Sequence, residues 1–208
     1  MKAHTKISQA KMTPDTALEF LQEGNQRFLQ NLKANRNLLE QVNDTSDGQY
    51  PFATILSCID SRVSAELVFD QGLGDVFSVR IAGNFINEDI LGSMEFACKV
   101  AGTKLLVVLG HTSCGAIKGA CDHVRLGNLT ALINKIEPAV AAVKEPKDEA
   151  LRTSANLDFV DEVSRENVKI AIDNIRSRSV VLNDMEKDGE IKIVGAMYDI
   201  TDGRVTFM

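Results

Sequence analysis

The sequence predicts an α/β protein. Its expected architecture is a mainly parallel central β-sheet flanked by helices, with an N-terminal helical arm and a C-terminal edge strand. Three observations carry this expectation. Short apolar runs, β-branched in part, fall at 52–57, 76–81, 104–109 and 191–198. Stretches of helical period lie between them, and parallel strands need such crossovers. A chain of 208 residues that is 44% hydrophobic can bury a full core without disulfide staples. We read 1–208 as one domain, with 1–50 as the arm and 51–208 as the core.

The elements follow in order. Residues 1–12 are polar and read as mobile or wrapped on a partner. Thr13-Pro14-Asp15 marks a helix start, with Thr13 as cap and Pro14 in the first turn. Leu18, Leu21, Phe28 and Leu32 continue it at helical spacing. The polar stretch 31–49 reads as a short helix and a loop, closing on the Asp47-Gly48 turn. The first strand follows Pro51 and delivers Cys58 at its carboxyl end. A short helix at 65–71 ends at Gly72 and Gly74. The second strand closes on Ala82-Gly83-Asn84. A helix at 91–101 stops at Gly102. The third strand, the most hydrophobic stretch, ends at Gly110, and His111 follows. A helix then begins after Ser113. Residues 129–143 read as one helix, 144–158 as a charged connector, and 159–178 as a long amphipathic helix. Asp188-Gly189 turns the chain into the strand at 191–198. Asp202-Gly203 turns it again into a final strand at 204–208.

The net charge of −6 argues against a nucleic-acid surface. No apolar run approaches the length of a membrane helix. The charged first residues are followed by no apolar segment of the kind a signal peptide carries, so a cytoplasmic location is expected. Four cysteines are too few for a secreted disulfide scaffold. Cys98 and Cys121 read as small buried apolar residues.

The other two cysteines stand in short motifs at strand ends: Cys58-Ile59-Asp60-Ser61-Arg62 and His111-Thr112-Ser113-Cys114. In parallel sheets, ligands gather beyond the carboxyl ends of strands. The intervening chain is long enough for two crossover units, so the motifs can meet in space. Two sulfurs and an imidazole are a soft ligand set suited to zinc. Three firm ligands, Cys58, His111 and Cys114, beside one displaceable carboxylate, Asp60, suggest a catalytic metal. Either motif alone is weak, and core packing would account for it.

The conjunction resembles the β-class carbonic anhydrases, whose signatures Cys-x-Asp-x-Arg and His-x-x-Cys stand here complete. Val76-Phe77-Ser78-Val79-Arg80-Ile81-Ala82-Gly83-Asn84, Gly92-Ser93-Met94-Glu95-Phe96-Ala97 and Cys114-Gly115-Ala116 look like the family too. So do Gly24-Asn25-Gln26-Arg27-Phe28 and Gly195-Ala196-Met197-Tyr198-Asp199. The resemblance implies one zinc ion per chain on Cys58, His111 and Cys114, and homodimers, often paired into tetramers, with the pocket at the subunit interface. By spacing from Cys58, Gln49 and Phe77 match the pocket glutamine and phenylalanine of the plant-type enzymes, and Ala82, Gly83 and Gly115 join the expected pocket. Each has a plainer reading: Phe77 as core, Gln49 as a loop residue, the two glycines as turn and helix-start residues. The pocket tyrosine of that subgroup has no counterpart around 87–91. The chain has no Trp, so the family's bicarbonate-held closed form is not expected.

The activity implied is the reversible hydration of CO2 to bicarbonate and a proton. Zinc lowers the pKa of bound water toward neutrality, supplying hydroxide. Two thiolates cancel the charge of the ion, so the water should be less acidic here than on three histidines. Arg62 and the amino end of the helix after Cys114 can compensate. We expect Asp60 and Arg62 to form a gate. Asp60 held by Arg62 leaves the fourth position open to water and can orient the hydroxide. Asp60 swung onto zinc closes it. Rising pH favours the open form, because hydroxide competes with the carboxylate. His123 could relay protons, although a surface position is the simpler reading. Alternatives are a CS2 or COS hydrolase on the same fold, a non-catalytic zinc protein with Asp60 as permanent fourth ligand, and a thiol redox protein. The last lacks a Cys-x-x-Cys.

Overall fold

The computed structural model describes residues 2–208. In chain order its helices are α1 (Lys6–Ala10), α2 (Pro14–Leu29), α3 (Leu38–Asp44), α4 (Ala65–Val68), α5 (Glu88–Glu95), α6 (Gly115–Cys121), α7 (Gly127–Ile133), α8 (Glu137–Ala142), α9 (Leu157–Arg178) and α10 (Val180–Lys187). The strands are β1 (Ala53–Ser57), β2 (Val76–Arg80), β3 (Leu105–His111), β4 (Lys192–Tyr198) and β5 (Val205–Phe207).

The strands form one sheet in the order β2-β1-β3-β4-β5. The first four run parallel, and β5 returns antiparallel on β4. The two inner strands β1 and β3 are buried throughout, as their continuous apolar sequences require. Side chains alternate between faces along a strand. Leu105, Val107 and Leu109 therefore join Leu21, Ile55 and Phe69 on one face, covered by α2 and α4. Leu106 and Val108 join Met94, Val168, Ile175 and Leu182 on the other, covered by α5, α9 and α10. A third apolar cluster, including Ile117, Ile133, Ile136 and Val163, lies under α6 to α9 and contains both Cys58 and Cys114.

Several elements differ from the sequence expectation. Residues 2–12 pack on the chain's own body. Thr5 and Ser8 close a reciprocal cap on α1, and the Gln9 amide donates to the carbonyls of Pro51 (2.7 Å) and Ala101 (2.8 Å). The helix expected at 91–101 begins at Glu88 and loosens into a π turn over Phe96–Val100. The helix expected at 129–143 is two helices. Pro138 in the first turn of α8 fits a helix start, since its missing N–H is lost to no partner there. The helix α10 follows α9 almost directly, with Ser179 as the joint. The Ser179 backbone ends α9, and its hydroxyl accepts from Leu182 N–H to cap α10. His111 is the last residue of β3 rather than the first beyond it.

One close approach shapes the end of β3. A Cβ on Gly110 would stand 2.7 Å from Val168 and 2.8 Å from the sulfur of Met197. Glycine there lets α9 lie against the end of β3. Among the described residues no helix is long and apolar enough to cross a membrane.

Candidate metal centre

The parallel register places Ser57 of β1 beside Leu109 of β3, so Cys58 and His111 emerge from neighbouring strand ends. Cys114 stands just before α6. The ligating atoms of Cys58, His111 and Cys114 all lie within 4.8 Å of one another, and all three residues are buried. The two sulfurs are 3.9 Å apart. The His111 Nδ1–H donates to the carbonyl of Thr112 at 2.9 Å, which leaves Nε2 as the free lone pair. That Nε2 is fully buried and has no hydrogen-bond partner among the described residues. A buried imidazole nitrogen without a partner is costly unless something else satisfies it. Two sulfurs and this nitrogen fit a thiophilic divalent ion.

The electrostatics agree. The hydrogen bond from the Cys114 thiol is the largest influence on Cys58 and draws it well toward thiolate. Burial opposes it, and the amides of Gly83 and Asp60 add to it. The same bond, followed by burial, holds the proton on Cys114. A dication facing both sulfurs can displace that last proton. The other two thiols are buried and held away from the thiolate form. Burial first, and then Asp122, pushes Cys121 up to about 11, and burial raises Cys98.

Asp60 is turned toward Arg62. Its Oδ1 accepts from the Arg62 Nε and backbone N–H, both at 2.9 Å, and its Oδ2 accepts from Nη2 at 2.7 Å. Oδ2 also stands 4.0 Å from His111 Nε2. The Arg62 side chain holds the Asp60 carboxyl below the usual carboxylate range, against a partial cost of burial.

The surrounding backbone is held by Gly83, expected as a pocket residue, and by Arg80, Asp161, Ser164 and Asn167, which the sequence reading did not single out for a role. Arg80 donates to the carbonyls of Cys58 (3.1 Å) and Asp60 (2.8 Å), bracketing the first motif. The Gly83 N–H donates to Cys58 Sγ at 3.4 Å, and the Gly83 carbonyl accepts from Asn167 at 2.8 Å. Ser113, with φ of 54°, donates its N–H to Asp161 at 2.7 Å. Ser164 donates to the His111 carbonyl at 3.0 Å. One signal was available in the sequence: Ser164 and Asn167 interrupt the apolar stripe of α9.

The expected pocket residues scatter. Gly83 and Gly115 border the two sulfur ligands, and Ala82 is half-buried beside Gly83. Phe77 lies on β2 and lines a surface groove with Arg80, Gly92 and Phe96, stacking edge-on to Phe96. Gln49 is exposed and lines a different groove, with Val42, Thr45, Leu73 and Gly74. His123 is exposed, its Nδ1 3.5 Å from Glu137.

Comparison with known proteins adds a family to this geometry. The family model described as "Carbonic anhydrase" matches residues 53–205. Carbonic anhydrase 2 of Mycobacterium tuberculosis is 36% identical over 197 residues, covering 92% of this chain and 91% of the relative. The crystal structure of the β-carbonic anhydrase CafA of Aspergillus fumigatus superposes with a TM-score of 0.70 at 25% identity, covering 93% of this chain and 89% of that one. One of two tetrameric β-carbonic anhydrases of Sordaria macrospora superposes with a TM-score of 0.69 at 20% identity, covering 80% and 84%.

Proposed function

The chain belongs to the β-class carbonic anhydrases and is a carbonic anhydrase, and we propose that Cys58, His111 and Cys114 hold one zinc ion per chain as its working centre. The observation that carries this reading is the buried, unpartnered His111 Nε2 facing two sulfurs. Bound there, zinc supplies the Lewis acidity that lets water be deprotonated near neutral pH for attack on CO2.

The chain's own residues do the rest. Asp60 is the acceptor that orients the attacking oxygen, and Arg62 keeps it in that role. Three N–H groups of one residue hold the carboxylate. They bind it in a two-pronged pair that lysine could not reproduce. This pairing also weighs against a centre closed permanently by Asp60. Arg80 keeps the Cys58–Asp60 backbone in register by bonding both carbonyls. The Gly83 amide offsets part of the thiolate charge on Cys58.

We propose further that the chain self-associates as a homodimer or tetramer, and that Gln49 and Phe77 complete the CO2 and bicarbonate pocket, with Ala82, Gly83 and Gly115, at the interface. Phe77 lies on the edge strand β2, and the structurally similar Sordaria enzymes are tetrameric. The unpaired thiols suit a reducing compartment such as the cytoplasm.

The test is zinc analysis beside stopped-flow CO2 hydration from neutral to alkaline pH, with Asp60→Ala in parallel. One zinc per chain, and activity that rises with pH and is largely lost in the variant, supports the reading. Activity without zinc, or an unaffected Asp60→Ala, overturns it.

A further inference from the structure

Helix α9 carries polar side chains where its packing face calls for apolar ones. Val160, Val163, Val168, Ala171 and Ile175 form its buried stripe. Ser164 and Asn167 fall within that stripe and Asp161 borders it, at intervals of three, so all three face the packed side of the helix. Ser164 is 1% exposed and Asn167 is 3% exposed. A hydroxyl and an amide at such depth cost free energy unless paired. The shortest bond of each goes to the backbone beside the proposed ligands.

The bonds divide the work. Ser164 Oγ donates to the carbonyl of His111 itself. Asp161 accepts the N–H of Ser113, the residue before Cys114, which sits in the left-handed region at φ 54°. A non-glycine residue holds that conformation only when its surroundings enforce it. Asn167 Nδ2 donates to the carbonyl of Gly83, whose own N–H reaches Cys58 Sγ. So one helix touches the supports of all three ligands, although those ligands come from two strand ends and a helix start. The close packing of Val168 against Gly110 brings the helix near enough to do this.

We propose that Asp161, Ser164 and Asn167 are positioning residues, and that α9 is the rigid rail that holds Cys58, His111 and Cys114 at the spacing a zinc ion requires. This rests on the zinc reading above, and it assigns the residues no contact with substrate.

The experiment measures zinc affinity of the full chain by competition with a chromophoric chelator. The thiolate-to-metal absorption of the cobalt(II)-substituted protein is recorded beside it. Asp161→Ala and Asn167→Ala should weaken zinc binding roughly 10- to 100-fold, the usual cost of losing an outer support, and shift the cobalt spectrum. Asp161→Asn keeps a carbonyl oxygen for Ser113 and should restore both readouts. Asn25→Ala is the control. It removes bonds to Val68, Gly203 and Val205, which a purely structural asparagine would also lose. It should lower Tm and leave both readouts unchanged. Should Asn167→Ala not fold, the half-buried Asp161 carries the test. Variants of α9 that lower Tm as Asn25→Ala does, yet bind zinc as tightly with an unchanged cobalt spectrum, overturn the inference alone. A wild-type chain that binds no zinc overturns the zinc reading and the inference with it.

Discussion

The Asp60 carboxylate is bound by Arg62 through the guanidinium on both oxygens and through the backbone N–H on one. Its Oδ2 nevertheless stands only 4.0 Å from Nε2 of His111. In the gate expected from the sequence the carboxylate has two fates, held by the arginine or drawn to an ion on the three proposed ligands. Because Arg62 keeps its acidity far on the ionised side, Asp60 does not titrate in the neutral range. On the proposed zinc reading, a pH dependence of activity near neutrality would therefore not come from Asp60.

Removing Arg62 should shift that balance. A charge-assisted hydrogen bond is worth about 1.5–3 kcal/mol, so Arg62→Ala should lose about 10- to 100-fold in kcat/KM. The loss should be greatest at the lower end of the pH range, where hydroxide competes least with the carboxylate. Arg62→Lys should recover little of it, since an ammonium cannot make the two-pronged pair. Stopped-flow CO2 hydration across pH is the measurement. An Arg62→Ala profile that overlays the wild type would exclude the gate.

Cys114→Ser and His111→Ala should each release zinc and abolish CO2 hydration. Zinc binding requires both thiols to be deprotonated, so affinity should rise with pH. Zinc added to chelator-treated protein should raise its stability by about 2.7 kcal/mol at a hundredfold excess over Kd. Tm measured against zinc concentration checks this, and an unresponsive Tm would count against these three ligands.

Asp70 anchors the arm to the core. It accepts from Arg27 Nε at 2.5 Å, Arg36 Nη1 at 2.7 Å and the N–H of Ala34 at 3.0 Å. Burial alone would raise its pKa, but these donors prevail and lower it. Asp70→Asn keeps a side chain that tolerates the φ of 44° found there. The variant loses the charge opposite two guanidinium groups, at a cost of about 3–5 kcal/mol. A carboxyl with a lowered folded pKa contributes fully above its unfolded value of about 3.9, and the contribution is lost as pH falls through the folded value. Urea unfolding of the two proteins should thus differ most at neutral pH and converge in strong acid. A difference that does not change with pH would show that packing, and not charge, is responsible.

Gly83→Ala should be costly. Gly83 has φ of +76°, and its added Cβ would fall 2.4 Å from Ile136 and 3.2 Å from Ala116. The left-handed conformation alone costs about 1–2 kcal/mol and overpacking about 1–3 kcal/mol. Because the Gly83 amide faces Cys58, zinc affinity should fall along with stability. Chemical denaturation and chelator competition on the same variant test both parts.

Much of this was legible in the chain itself. The apolar runs around Ile55 and Val107 announce buried parallel strands, because strands covered on both faces need apolar residues at every position. The motifs around Cys58 and His111 show candidate metal ligands without any fold, because soft metal chemistry depends on residue type. The helix start at Thr13 follows from a cap that acts within a few residues, whereas the long helix expected from 159 begins at Leu157 behind an Asn156 cap that the reading of 144–158 as a connector passed over. What lay beyond reach depends on partners distant in sequence. Gln9 docks α1 by reaching Ala101, which no local pattern foretells. Helix α10 has only Leu182 and Met185 buried, too few for a visible period. Arg80 and Asn167 look ordinary until the fold sets them against Cys58 and Gly83. By itself the sequence determined which atoms could hold a metal and which segments would form the sheet, since both depend on side-chain chemistry and short-range periodicity. Only the tertiary structure decided how those atoms are held, because their supporting hydrogen bonds join residues far apart in the sequence.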